Sequence, residues 1–570
     1  MTNCRRLVRG VAAIRAPLAF TSAAVIFAAC GSTTGGSTFD APGSTSDDAG
    51  SDGLGPPGPT GDDSGTPLGP FSDFGAAPVI DSADGGGGDT PANAADLFGA
   101  PSKGAKSGGP CLIEPEVGSL YPNNWLRPRF AWVAANGENL FELRVHAENQ
   151  VNDLVVYTTQ TRWTMPKVLW DGLRMHSADV PMTVSVRGGV AMAGSLTSEA
   201  LGSSGAIGIA PVAAPGSVVY WSIVDAANSQ VGKLKGFTIG DEGVVDVLAG
   251  PQVAERTNAT CIGCHASTPD GLAVGFGVGP SNQPMSYTNS LASISTSGAG
   301  GAIPSYLTPD AQAAIDVLHG VPAYSRAHWS PGDRIELLSD TGDLHWVNLE
   351  GTGAQVTGVI PRGTLDTQNA TVPTWSHDGA TIVYTSAAGI TDGRPADGPM
   401  DLFSVHYNNK AGNDAAPIPG ASEPNLNEYY PAFSPDDKFI TFDRIPGDQG
   451  SYDSPSAEVF FIPASGGTAT RLDANDPPAC TSTNSPGVTN SWPKFAPSAQ
   501  TAGSRTFYWI IFSSKRSPNG RPQLYISPVV VDANGKVTTY HALYLWNQPE
   551  NENNHTPAWD VFQIPPAPIK

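Results

Sequence analysis

The sequence predicts an all-β protein, a β-sandwich followed by a six-bladed β-propeller that its C-terminal strand closes. Three observations predict it. Of 570 residues 65 are Gly and 51 Pro while only 15% are charged, a balance that suits turn-rich strands and linkers better than helices. Short alternating apolar runs separated by turn residues begin at Cys111. An aromatic residue followed by a Ser-Pro-Asp-Gly-like turn then recurs through the C-terminal part of the chain.

Residues 1–30 read as an export signal. Arg5, Arg6, Arg9 and Arg15 precede a short apolar stretch from Ala16 to Ala29, too short to span a bilayer and stop there. The stretch ends in Phe27-Ala28-Ala29-Cys30-Gly31, which resembles a bacterial lipobox. That resemblance implies cleavage before Cys30, lipidation of its sulfur and an outer-membrane address in the cell envelope, periplasmic or surface-facing. Phe27 stands where the lipobox prefers an aliphatic residue, and an ordinary secretory signal is the alternative. Residues 31–110 are rich in Gly, Ser, Pro and Asp with almost no apolar periodicity, and read as a disordered tether.

Residues 111–210 supply the predicted sandwich. Pro128-Arg129-Phe130-Ala131-Trp132, Leu140 to Val145, Val155 to Tyr157 and Met182 to Val186 are strand-like runs at sandwich pitch. The phrase from Tyr121-Pro122 to Phe130-Ala131-Trp132 resembles fibronectin type III-like domains, and Trp132 and Trp163 read as core.

Residues 211–570 carry the repeat. Trp329-Ser330-Pro331-Gly332-Asp333, Trp375-Ser376-His377-Asp378-Gly379 and Phe433-Ser434-Pro435-Asp436-Asp437 are clear copies. Ser267-Thr268-Pro269-Asp270-Gly271, Phe495-Ala496-Pro497 and Trp559-Asp560 are degenerate ones. A strand follows most of the turns, as in Thr381 to Tyr384 and Phe439 to Phe442, and one hairpin cannot hide its apolar face alone. The last mark has no room for a following hairpin, whereas Val218 to Ile223 and the two strands after it have no leading mark. The two halves are therefore expected to complete one blade. The repeat resembles TolB-like six-bladed propellers, a resemblance that implies fold and leaves activity open.

Cys261-Ile262-Gly263-Cys264-His265 carries the one definite chemical signature. C-x-x-C-H is the attachment pattern of c-type haem, with two thiols for the porphyrin edge and an imidazole for one axial position. A disulfide between Cys261 and Cys264, or half of a zinc site, are the alternatives, although zinc lacks a second ligand pair here. Aligned on the repeat, His265 falls where Pro373, Pro431, Pro493 and Pro557 stand in four other copies, placing the motif at the start of an innermost strand. The sixth iron ligand is then expected from His555 or Met285, with His328 a third candidate. Asn369, Asn427, Asn553, Glu428 and Glu552 form a possible polar rim, with strand-entry capping as their alternative.

The net charge of −22 excludes a basic nucleic-acid face. No G-x-S-x-G elbow in the globular part, P-loop or H-E-x-x-H appears, and no pattern assigns an enzymatic reaction. The expectation is an exported, lipid-anchored haem c protein working in electron transfer or redox sensing with an envelope or redox partner. The alternative is a haem-free, TolB-like scaffold that binds envelope proteins.

Overall fold

A computed structural model describes residues 69–567 apart from 82–88, 136, 227–228, 258–260, 280–287, 392–393 and 397. The expected export signal, Cys30 and Met285 lie outside the described residues.

The N-terminal part holds two sheets. Leu140–Ala147 lies between Leu154–Thr158 and Met182–Met192 in a six-stranded sheet, and Arg129–Val133 centres a three-stranded one. Trp132 and Trp163 are buried in the shared core, as read from the sequence. The tether reading is corrected from residue 69 onward. Val79–Ile80 pairs in parallel with Val156 and Tyr157, Phe74 and Phe98 are buried, and Phe71 stacks on His176 at 4.1 Å. The overall Gly, Ser and Asp content hides these few apolar residues, each of which finds a partner far along the chain.

Six antiparallel sheets follow in chain order, giving a propeller-like architecture. The first joins Ser217–Ala226, Ser229–Thr238 and Val245–Ala249 to the C-terminal strand Asn553–Asp560. The second is Cys261–Ser267, Ala273–Gly279 and Thr288–Ser293, and the third runs from Trp329 to Val359. The fourth, fifth and sixth start with Asn369–Trp375, Leu426–Phe433 and Ser491–Phe495. The expected pairing of the last strand with the first sheet is present, with Val218 opposite Trp559 and Ile223 opposite Asn553.

The recurring turns explain the hairpins. In Thr268–Gly271, Ser376–Gly379 and Ser434–Asp437 the fourth residue's N–H donates to the first residue's carbonyl at 2.8, 3.0 and 2.9 Å. The first hydroxyl also donates to the third residue's carboxylate. Gly271, Gly379 and Asp437 hold positive φ there, the geometry these sequences favour. The third copy differs. Ser330 pairs directly with Asp333, so the connection is two residues shorter than in the other copies, and Arg326–His328 forms a 3₁₀ turn where other sheets have an inner strand.

The innermost strands share a distortion. Cys264, Val372, Tyr430, Trp492 and Thr556 all have φ between 43° and 62°, each at a register shift in its sheet. Such a bulge bends a strand and re-aims its side chains. Neighbouring sheets cap two of these bulges. The Ser339 hydroxyl accepts from Val372 N–H, and Asp443 accepts from Trp492 N–H at 3.2 Å.

The N-terminal sheets and the propeller-like part share one core, which includes Trp125, Phe141, Trp509 and Trp559. A Cys111–Cys480 disulfide spans the two parts, with Cα atoms 5.5 Å apart. Arg516 is buried there against Glu116, and it also donates to the Ala474 carbonyl at 2.6 Å and to Asn490 Oδ1 at 2.8 Å.

Candidate functional site

Cys261–Ser267 is wholly buried, and the C-x-x-C-H residues occupy fixed positions of the repeated inner strand. Cys264 is the bulge residue, His265 follows it where four other sheets carry Pro, and Cys261 matches Asn369, Asn427 and Asn553. A regular strand would turn residues three apart to opposite faces. The bulge between Gly263 and His265 instead brings Cys261 and Cys264 into one axial cluster with Trp221, Val372, Tyr430 and Trp492.

His265 takes another direction. Its Nε2 donates to the Val219 carbonyl at 3.1 Å, across the seam between the second and first sheets. Burial pushes its pKa down to about 4, against the upward pull of that carbonyl, and the nearby Lys494 ammonium adds to the depression. The ring is a neutral seam group in the folded chain.

The proposed axial ligands are not brought together on His265. His555 lies on the C-terminal strand opposite Trp221, whose ring centroid is 4.7 Å away. The same indole reaches the second sheet, since a Cβ on Gly263 would lie 3.2 Å from it. Trp221 thus fills the space between His555 and the cysteine strand. His328 stacks on Trp375 at 4.9 Å and pairs with Asp333, in the third and fourth sheets.

A porphyrin does not fit this arrangement of the described residues. The iron-facing nitrogen of His265 is engaged by Val219, Trp221 packs against the strand, and Cys261 is 1% exposed. The cavity that His555 lines, about 150 Å³, is lined by none of Cys261, Cys264 or His265. Cys264 is disulfide-bonded while Cys261 keeps its thiol, so the Cys261–Cys264 ring is not formed either. Among the described residues no group of three or more His, Cys, Asp or Glu is placed to hold a metal ion.

The rim residues divide. Asn369 donates to the Ala387 and Ala388 carbonyls and Asn427 to that of Gln449, so both cap strand entries. Glu428 pairs with Arg444, and burial raises its pKa to about 7. Glu552 pairs with Lys235. Asn553 lines a cavity with Tyr452, Thr489, Trp492, Lys515 and His555.

Sequence reasoning missed Tyr452, which lies in a loop outside the repeat pattern, and Thr489, which stands before Pro493 where Asn369, Asn427 and Asn553 stand before their prolines. It also missed Lys494, whose buried Nζ has no hydrogen-bond partner and whose pKa burial lowers to about 7. A signal for Lys494 existed: matching positions in the other inner strands are Ala266, Thr374, Ala432 and Ala558.

No protein-family model and no curated protein matches the chain. Among solved structures it is similar to a putative TolB from Agrobacterium tumefaciens, at 18% identity over 42% of this chain and 89% of that one, TM-score 0.25. A chain of a nidogen/laminin complex is 12% identical over 60% and 97%, TM-score 0.33. Kuenenia stuttgartiensis hydrazine synthase is 13% identical over 48% and 64%, TM-score 0.27. At these scores the likenesses add nothing about activity, and the propeller-like architecture rests on the sheet order itself.

Proposed function

We propose that the chain is an exported, lipid-tethered docking scaffold of the bacterial envelope. In this reading a fibronectin type III-like sandwich carries a closed six-bladed propeller, and the channel mouth is the docking face. One observation carries it. The only motif with a definite chemistry is built into an inner strand, with Cys264 at the shared bulge and His265 bonded to Val219. What remains open at the axis is the polar cavity beside His555.

The test is expression of the full chain with a cytochrome c maturation system, followed by covalent haem staining of the denatured band. The expected result is a colourless band. A photocrosslinking residue at Thr489 should then give a discrete adduct with an envelope component, and Cys261→Ser should leave that adduct intact. A stained band with a haem absorption spectrum overturns the scaffold reading.

The second reading is a haem c protein of electron transfer or redox sensing. It is favoured by the bulge at Cys264 and by the burial of Cys261 and Cys264 in one cluster, and it requires the Cys264 disulfide to be absent. It requires Trp221 and the Val219 seam to rearrange, and the same staining experiment decides it.

A further inference from the structure

The cavity at the channel mouth is lined from three sheets. Ile223, Asn553 and His555 come from the first, Tyr452 and Asp453 follow a strand of the fifth, and Thr489, Trp492, Ser513 and Lys515 belong to the sixth or its entry. Its volume of about 150 Å³ equals the liquid volume of roughly five water molecules.

Four of its polar side chains are not fully satisfied by protein. The His555 ring is 8% exposed, packs against Trp221, and has no hydrogen-bond partner among the described residues. The Tyr452 and Thr489 hydroxyls likewise have none, and Asn553 uses only its Oδ1, which accepts from Arg521 at 3.0 Å. His555 and Thr489 are more than nine-tenths buried, and buried polar groups in folded proteins are nearly always paired, so their convergence on one cavity with the part-exposed Tyr452 and Asn553 marks a place where a ligand or water completes them. The charges there are matched, because Lys515 donates to Asp453. The remaining groups are neutral, and each hydroxyl or ring can both donate and accept. The Trp492 indole, stacked on Tyr430 at 3.6 Å, and Ile223 supply an apolar wall.

Matched charge, donor–acceptor groups on one side and a flat apolar wall on the other complement a single uncharged sugar ring. Its hydroxyls both donate and accept, and its C–H face is apolar. We infer that the channel mouth binds one neutral sugar unit of an envelope glycan, with His555, Asn553, Thr489 and Tyr452 as its hydrogen-bonding partners. This inference rests on the docking-scaffold reading and names the chemistry of its ligand.

The test titrates glucose, galactose and N-acetylglucosamine separately into the full chain, followed by tryptophan fluorescence and calorimetry. At least one should bind saturably in the millimolar range. Asn553→Ala, Thr489→Val and His555→Phe should each weaken binding fivefold or more, while Leu365→Ala, an exposed residue elsewhere, leaves it unchanged. Circular dichroism melts identify variants that retain the fold, and Thr489→Val, the mildest change, keeps the test valid if His555→Phe does not fold. Absence of saturable binding by all three sugars, or binding indifferent to Asn553→Ala and Thr489→Val, overturns the inference. If the Thr489 crosslink still yields a protein adduct in that case, the scaffold reading stands and only the sugar assignment falls.

Discussion

The His265 imidazole donates through Nε2 to the Val219 carbonyl oxygen at 3.1 Å, fastening the second sheet to the first. Four other inner strands carry proline at this position, and proline cannot make that bond. His265→Pro should therefore keep the fold and lose roughly 1 kcal/mol, the net value of one hydrogen bond. Urea denaturation checks it, and a loss above about 4 kcal/mol would show that the ring does more than hold the seam.

Acid should destabilise the chain in a defined window. Burial lowers His265 to about 4 and His555 to about 3, while the unfolded rings titrate near 6.5. Between those values the unfolded chain binds more protons, so these two terms leave stability intact above pH 6.5. They erode it as pH falls toward 4 and then 3, by about 3 kcal/mol or more for each ring. His555→Phe should flatten the pH dependence of the urea midpoint between pH 6.5 and 4 relative to the parent chain. An unchanged slope would contradict a buried, neutral His555.

Loss of the Cys111–Cys480 bridge should loosen the two parts from each other. The bridge closes a loop of sequence separation 369, so Cys480→Ser is expected to cost about 2–4 kcal/mol. The melting temperature of Cys480→Ser against the parent chain measures this, and reductant should lower the melting temperature of the parent more than that of Cys480→Ser.

Arg516 lies at the same junction, buried among backbone carbonyls and Glu116. Arg516→Met leaves those carbonyls without their donor and the buried Glu116 with His541 alone, which should cost about 3–5 kcal/mol. A double variant with Glu116→Gln should recover part of that loss. Strict additivity of the two changes would mean that the residues do not act as a pair.

Much of the architecture was legible because it depends on local chemistry. The Ser-x-Asp turns form from side-chain-to-backbone hydrogen bonds within five residues, so Ser376–Gly379 and Ser434–Asp437 declare themselves in any sequence. The pairing of Asn553–Asp560 with the first sheet followed from counting half-blades. Residues 69–110 were misread because Phe71, Val79 and Phe98 are sparse and find partners at Gln150, Val156 and Tyr157, contacts that no local window contains.

By itself the sequence determined the strand-and-turn rhythm, the place of Cys261–His265 at an inner strand and the strongly acidic net charge of −22. Only the tertiary structure decided what that motif does. Whether an imidazole faces an open space or a neighbour's carbonyl depends on a bulge at Cys264 and on Val219, 46 residues away. A main-chain oxygen is the same in every residue, so its position, and the claim it makes on His265, can be seen only once the sheets are packed together.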